Sequence, residues 1–356
     1  MTATGSYNLW DEIILQEELR FLQRHYGDMV HFSVFTHDKK SALFDDTDVS
    51  WITYFPHRLF RNPLANIWYM IRNIWIIARA DILIVGGGWL IFDNEPWVSF
   101  GSLIRQWYFR TKIARLSGTT IVYLGLSLEV KQVPNKMALR KLFQKGDFII
   151  VRDEKSAGLL EALEVPCSQI PDIGFLLQPE KSDLPLPVKK RVGISIRWGF
   201  LGDNEFIVPQ IYQYFIDRWY DPVFLIHTTS GDEEQNDAYY IKRIMQGKTY
   251  NTTGTIQNTL KVYPTLHAVI GMRFHAAVLA CVHHIPFFLL SYGPKTEALI
   301  KLLEVEEFIM RPDQINMERI TKMWERLEEH YDRRCIFMAE KHAFIRRELV
   351  TRLETL

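Results

Sequence analysis

The chain has 356 residues, 47% apolar and 24% charged, with 42 basic and 42 acidic side chains. That length holds two globular domains with full cores, and the zero net charge leaves no basic footprint for nucleic acid. Three scattered cysteines, Cys167, Cys281 and Cys335, fit a reducing cytosol and give neither a disulfide framework nor a zinc pattern. Met1 to Leu15 lacks a basic region followed by an apolar core, so no secretory signal is expected. The longest apolar stretch, Ile67 to Val85, is interrupted by Arg72, Arg79 and Asp81 and makes a poor membrane span.

In chain order, short β-rich runs alternate with helical segments. A helix is predicted over Ile13–Tyr26, a strand over Val30–Phe35, a strand over Ile82–Val85 and a helix over Leu103–Leu116. Strands at Thr120–Leu124 and Phe148–Val151 follow, with a helix over Asn135–Phe143 between them. Lys181 to Lys190, rich in proline and charge, reads as an interdomain linker. The rhythm restarts with strands at Arg191–Ile196, Pro222–His227, Ala268–Gly271 and Pro286–Leu290. The expected organisation is an α/β domain over 1–182, a linker over 183–190, a second α/β domain over 191–316 and a helical segment over 317–356. Alternation of this kind gives parallel sheets covered by helices, which bind ligands beyond the carboxyl ends of their strands.

The interesting residues fall at such strand ends. Met272-Arg273-Phe274-His275-Ala276 links a buried strand to a helix, and Tyr292-Gly293-Pro294-Lys295 repeats the arrangement one strand later. Helix N-termini present unpaired N–H groups, so two cations and a histidine there suit a small, multiply charged anion. Gly86-Gly87-Gly88 follows a strand directly and lets a ligand or another chain segment approach the backbone closely. Ile91 breaks the dinucleotide fingerprint, and Asp93 is either a turn and cap residue or a proton acceptor. Arg152 points from a strand end, with Asp153 or Ser156 capping the next helix, and Asp172 is either a turn residue or an orienting carboxylate. Trp51 to Arg79 mixes aromatic and basic residues, among them Trp51, Tyr54, Phe55, Arg58, Phe60 and Arg61. Helices packed on the sheet are the favoured explanation, and an interfacial or sugar-stacking surface is the other.

Taken in order, these motifs resemble the polysaccharide pyruvyl transferase family, from about residue 5 to 300. Gly5-Ser6-Tyr7-Asn8-Leu9-Trp10-Asp11-Glu12 is similar to its N-terminal loop, although Trp10 stands where glycine is usual, and the sequence starts so close to this loop that the usual first strand is expected to be missing, either through truncation or because the first domain lacks it. The triple glycine with Asp93, Arg152-Asp153 with Ser156, Asp172, and Arg273 with His275, Pro286, Tyr292 and Lys295 complete the likeness. Leu126-Ser127-Leu128 departs from the glycine-rich turn common at that strand end.

The resemblance implies two Rossmann-like domains facing a cleft, as in GT-B glycosyltransferases. It also implies transfer of the enolpyruvyl group of phosphoenolpyruvate onto two hydroxyls of a sugar in a surface polysaccharide or lipid-linked precursor. Arg152, Arg273, His275 and Lys295 would then hold the donor. Asn8, Asp11, Glu12, Gly87, Gly88, Asp93 and Asp172 would lie on the acceptor side. His275 and Asp93 would share the acid–base work, in either order. Phosphoenolpyruvate carries nearly three negative charges, which Arg152, Arg273 and Lys295 match, so no cofactor or metal is expected. The expected location is cytoplasmic, with peripheral association at the inner face of the membrane if the acceptor is lipid-linked. Two alternatives stand beside this reading: a GT-B nucleotide-sugar glycosyltransferase and a non-catalytic glycan-binding protein. The Glu-x7-Glu pair frequent in such glycosyltransferases is missing after the Arg-His motif, because Val305 stands eight residues beyond Glu297.

Overall fold

A computed structural model describes Gly5 and residues 7–36, 38, 49–53, 63–93, 100–179, 184–185, 187–229, 233, 236–291 and 293–355. Tyr54, Phe55, Arg58, Phe60, Arg61 and Tyr292 lie outside the described residues. By its internal contacts the chain forms two units, one of residues 1–6, 11–174 and 349–356, the other of residues 7–10 and 175–348. The second unit therefore begins upstream of the expected linker.

The first unit carries helix α1 (Leu9–Tyr26), whose first two residues group with the second unit, and a two-stranded parallel sheet of β1 (Phe32–Thr36) and β2 (Val49–Thr53). After α2 (Pro63–Arg79), β3 (Ile82–Phe92) pairs with β4 (Thr120–Glu129), β4 with β5 (Phe148–Val151) and β5 with β6 (Ser168–Gln169), all in parallel. Helices α3 (Phe100–Ser117), α4 (Val133–Phe143) and α5 (Glu154–Glu161) make the crossovers. The core is built where the crossovers meet the sheet, from Val85, Ile121, Tyr123, Leu142, Phe143 and Val151 among others. Two strands run further than the sequence pattern predicts. β3 continues through the three glycines, its register shifting between Gly88 and Ile91, and β4 carries Leu126-Ser127-Leu128 as strand. Leu126 and Leu128 point into the core, so burial extends the strand through the segment that departs from the usual glycine-rich turn.

The second unit is a six-stranded parallel sheet in the order β12-β11-β10-β7-β8-β9. Its strands are β7 (Arg191–Ser195), β8 (Asp221–Phe224), β9 (Asn251–Thr252), β10 (Leu266–Gly271), β11 (Phe287–Leu290) and β12 (Ile309–Met310). Chain direction through the sheet reverses between β7 and β10, where Gly271 lies opposite Ser195. That reversal opens a crevice at the strand ends. The helices are α6 (Ile207–Asp217), α7 (Asp237–Ile244), α8 (Ile256–Val262), α9 (Phe274–Val282), α10 (Pro294–Leu303), α11 (Met317–Glu329) and α12 (Tyr331–Glu354), whose residues from Leu349 on group with the first unit. The predicted terminal helical segment is not free-standing: α11 buries Ile320, Trp324 and Leu327, and the Trp324 ring packs edge-on against Phe215 of α6 at 4.6 Å.

Candidate functional site

In the second unit the site is built on the turn after β10. A Cβ at Gly271 would come within 3.1 Å of Ala276 Cβ and of Leu289, tighter than ordinary contact, so glycine eases the packing at the turn into α9. Arg273 occupies the N-cap of α9 in an extended conformation and His275 lies two residues on, at the end of the helix where backbone N–H groups are unpaired. The Arg273 guanidinium does not stand alone. It is paired with Asp237, a carboxylate only 2% exposed at the start of α7. The other Asp237 oxygen accepts from the amides of His227 (2.9 Å) and Thr228 (3.0 Å). Burial raises the Asp237 carboxyl, while the Arg273 charge and the two amides work against that rise.

Beneath this pair lies a polar network. His227 places Nδ1 3.3 Å from Ser195 Oγ at the end of β7 and Nε2 3.0 Å from the Tyr263 hydroxyl. Burial, then the nearby Arg273 charge, pushes His227 down to about 3, so its ring is neutral. Tyr263, wholly buried, is pushed well above its ordinary value and stays protonated. Ser195, His227 and Asp237 tie the ends of β7 and β8 and the start of α7 to Arg273. Each looked like an ordinary core or loop residue in the sequence, and their one shared signal was position at a strand end or helix start.

The His275 ring stacks on Trp10, centroids 4.7 Å apart and planes within 11°. Trp10 is 1% exposed. Asn8 Oδ1 accepts the Trp10 amide (3.1 Å), and the backbone of Tyr7–Leu9 pairs with that of His227–Thr229. The residue that departs from the usual glycine is thus the platform for the histidine, and Asn8 shapes the turn that presents it. At the end of β11, Ser291 and Thr296 lock the turn into α10 through their hydroxyls (2.8 Å). Lys295 sits in the first turn of α10, and its side chain lies outside the described part of the structure.

In the first unit the triple glycine serves a close approach by another helix. A Cβ at Gly87 (φ +71°) would lie 2.6 Å from Ile14, and one at Gly88 (φ +99°) 2.8 Å from Asp11 Oδ1. At Gly86 it would lie 2.8 Å from Glu18 Oε1, so Asp11, Ile14 and Glu18 form the face of α1 that lies on the glycines. Glu12 is fully buried and accepts the Gly5 amide (3.0 Å). Burial, reinforced by the Asp172 charge, pushes Glu18 up to about 8, so it holds its proton at neutral pH. Sequence reading missed Glu18; its place seven residues after Asp11, on the same helix face, was the available signal.

Arg152 is paired with Asp172 at 2.6 Å, both largely buried, and Asp172 also accepts the Gly174 amide (2.9 Å). The orienting role of Asp172 thus falls on Arg152. Asp153 and Ser156 form the N-terminal cap of α5, with Ser127 bonded to Asp153 (2.6 Å) and Ser156 accepting the Leu128 amide (2.8 Å). Asp93 accepts from the Lys131 and Gln132 amides and from Asn135 (2.8, 2.9 and 3.0 Å). Burial works to raise it, but these bonds and the Lys131 charge hold it below the usual carboxylate range. Its oxygens accept at the start of α4, the capping role that the sequence set beside proton acceptance.

A family model described as polysaccharide pyruvyl transferase matches residues 11–294. No curated protein matches the chain. Among solved structures, UDP-GlcNAc 2-epimerase from Methanocaldococcus jannaschii is similar at 12% identity and TM-score 0.59, covering 88% of each chain. HepE from Anabaena, solved with UDP-glucose, is similar at 12% identity and TM-score 0.58, covering 97% of this chain and 96% of its own. At such identities the likeness is one of fold, and it places the two parallel-sheet units among the GT-B-like α/β proteins. With the family match spanning the glycine motif, both arginine sites and His275, the chain belongs to the polysaccharide pyruvyl transferase family.

Proposed function

We propose that the protein transfers the enolpyruvyl group of phosphoenolpyruvate to two hydroxyls of a saccharide and releases phosphate. The observation that carries this reading is Arg273: an arginine at a helix N-terminus, at the sheet's switch point, aimed by a buried carboxylate and followed at once by a stacked histidine. Asp237 holds one nitrogen of the guanidinium, and the rest of the fork is what a carboxylate or phosphate would engage. In the transfer, the donor's methylene carbon takes a proton and its neighbouring carbon forms bonds to two hydroxyl oxygens. The bond to the phosphate oxygen breaks, and the two hydroxyl protons end on the methyl group and on phosphate. His275, oriented by Trp10, is the proton carrier in this proposal. Arg152 contributes to the donor site with Asp172 as its orienting partner, and Lys295 adds charge from the first turn of α10. Asp11, Glu12 and the Gly87–Gly88 segment belong to the acceptor side in this reading.

The test is phosphate release from phosphoenolpyruvate in the presence of a panel of glycans, with products read by mass spectrometry for the added ketal. Calorimetry with phosphoenolpyruvate and with UDP-glucose separates the alternatives. Tighter binding of UDP-glucose would turn the assignment to a glycosyltransferase, and binding of neither, with a glycan retained, to a lectin-like role.

A further inference from the structure

Helix α2 buries Ile77 in the core and yet carries an apolar stripe on its solvent side. A helix on a globular fold hides its apolar stripe and shows its polar one. Here Asn73 is buried at 6% exposure, while Leu64 (72%), Ile67 (49%), Trp68 (55%), Ile71 (57%) and Trp75 (58%) face solvent. Their spacing puts all five on one face. The expectation that these aromatics pack on the sheet is therefore overturned for this face. Arg72 lies over Trp68 at 5.5 Å and Arg79 over Trp75 at 4.9 Å, so each indole carries a guanidinium. The patch continues onto α3: Met70 and Phe109, both exposed, line the same small cavity. Neither helix contains an Asp or Glu, and Arg72, Arg79, Arg105 and Lys112 are exposed on a chain whose net charge is zero.

We propose that this face of α2 and α3 docks on an anionic phospholipid surface. The inference goes beyond the transferase reading and does not depend on it. Tryptophan flanked by arginine is suited to the boundary between headgroups and acyl chains, with the ring in the apolar layer and the charge among phosphates. Charge of one sign matches an anionic leaflet. A second copy of the chain is the poorer occupant, because a two-fold contact would set this cationic face against itself. Among the described residues no helix is long and apolar enough to cross a membrane, so the attachment is peripheral.

Co-flotation of the full chain with vesicles tests it. With equal parts phosphatidylcholine and phosphatidylglycerol the protein should float, at least ~10-fold more than with phosphatidylcholine alone. The Trp68→Ser/Trp75→Ser variant should lose on the order of 10-fold in partitioning with its thermal melt unchanged, since both rings are exposed in the fold. Arg72→Gln/Arg79→Gln should weaken the preference for phosphatidylglycerol. Absence of flotation with the mixed vesicles, or flotation indifferent to the tryptophans, overturns the proposal. So does a lipid-free dimer in sedimentation velocity that the tryptophan variant splits without any vesicle binding, which would make the face a protein interface.

Discussion

The Arg273–Asp237 pair decides how any experiment at this site must be read. Asp237 is nearly inaccessible, so removing Arg273 strands a buried carboxylate, and removing Asp237 leaves the arginine unaimed. Breaking one side of such a pair costs roughly 3–5 kcal/mol. Arg273→Ala and Asp237→Asn should each lower stability by about that much in denaturant melts, and the double variant should lose clearly less than their sum. Additive losses would mean the two do not act as a pair. His275 invites the opposite kind of test, because it is half-buried and carries its partner on one face. His275→Gln should cost turnover by roughly 10²–10⁴-fold while donor affinity changes less. Trp10→Phe, which keeps a ring face, should retain far more turnover than Trp10→Ala. Equal turnover in wild type and His275→Gln, at saturating donor and acceptor, would remove the proton-carrying role.

At the level of elements, what repeats locally was legible and what depends on distant partners was not. Strand ends were visible because apolar runs stop at Arg152 and Arg273, and the cap of α5 because Asp153 and Ser156 stand three apart, the spacing a helix N-terminus needs. Asp172 was readable as an orienting carboxylate, but Asp237 and His227 were invisible as partners, since tertiary pairing across 32 to 36 positions leaves no periodic trace. The glycine triplet was readable as a close approach, but its occupant, α1, was not. Gly87→Ala meets both a positive φ and Ile14 at 2.6 Å, and should destabilise by roughly 2–4 kcal/mol. Gly158→Ala provides the contrast: it lies inside α5 with nothing within 4 Å of its added methyl, and should stabilise by about 0.5–1 kcal/mol. Chemical denaturation of the two variants checks the pair, and a harmless Gly87→Ala would show that α1 does not lie on the glycines.

For the whole molecule, the alternation of strands and helices revealed two α/β units, whereas the buried titratable groups behind its pH response left little more in the sequence than a place on a helix face or at a strand end. Glu18 is held near 8 in the fold against an ordinary value of 4.5. A carboxyl raised in this way contributes stability that is fully present below about 4.5 and is lost as pH rises through about 8. His227 is held near 3 against an ordinary 6.5. A histidine lowered in this way contributes stability that is fully present above about 6.5 and is lost as pH falls toward 3. Buried His283, pushed to about 4, acts in the same direction. Between about 4.5 and 6.5 the two histidine slopes outweigh the single Glu18 slope, each worth about 1.4 kcal/mol per pH unit per proton. Stability should therefore peak near pH 6.5 and decline on both its alkaline and its acid side. Glu18→Gln mimics the protonated acid, so its stability should stay level where that of the wild type falls, between about pH 6.5 and 8. His227→Asn should flatten the acid limb only in part, because His283 still titrates. Thermal melts of the three proteins from acid to alkaline pH test this directly. An alkaline decline in Glu18→Gln as steep as in the wild type would show that the proton responsible is not on Glu18.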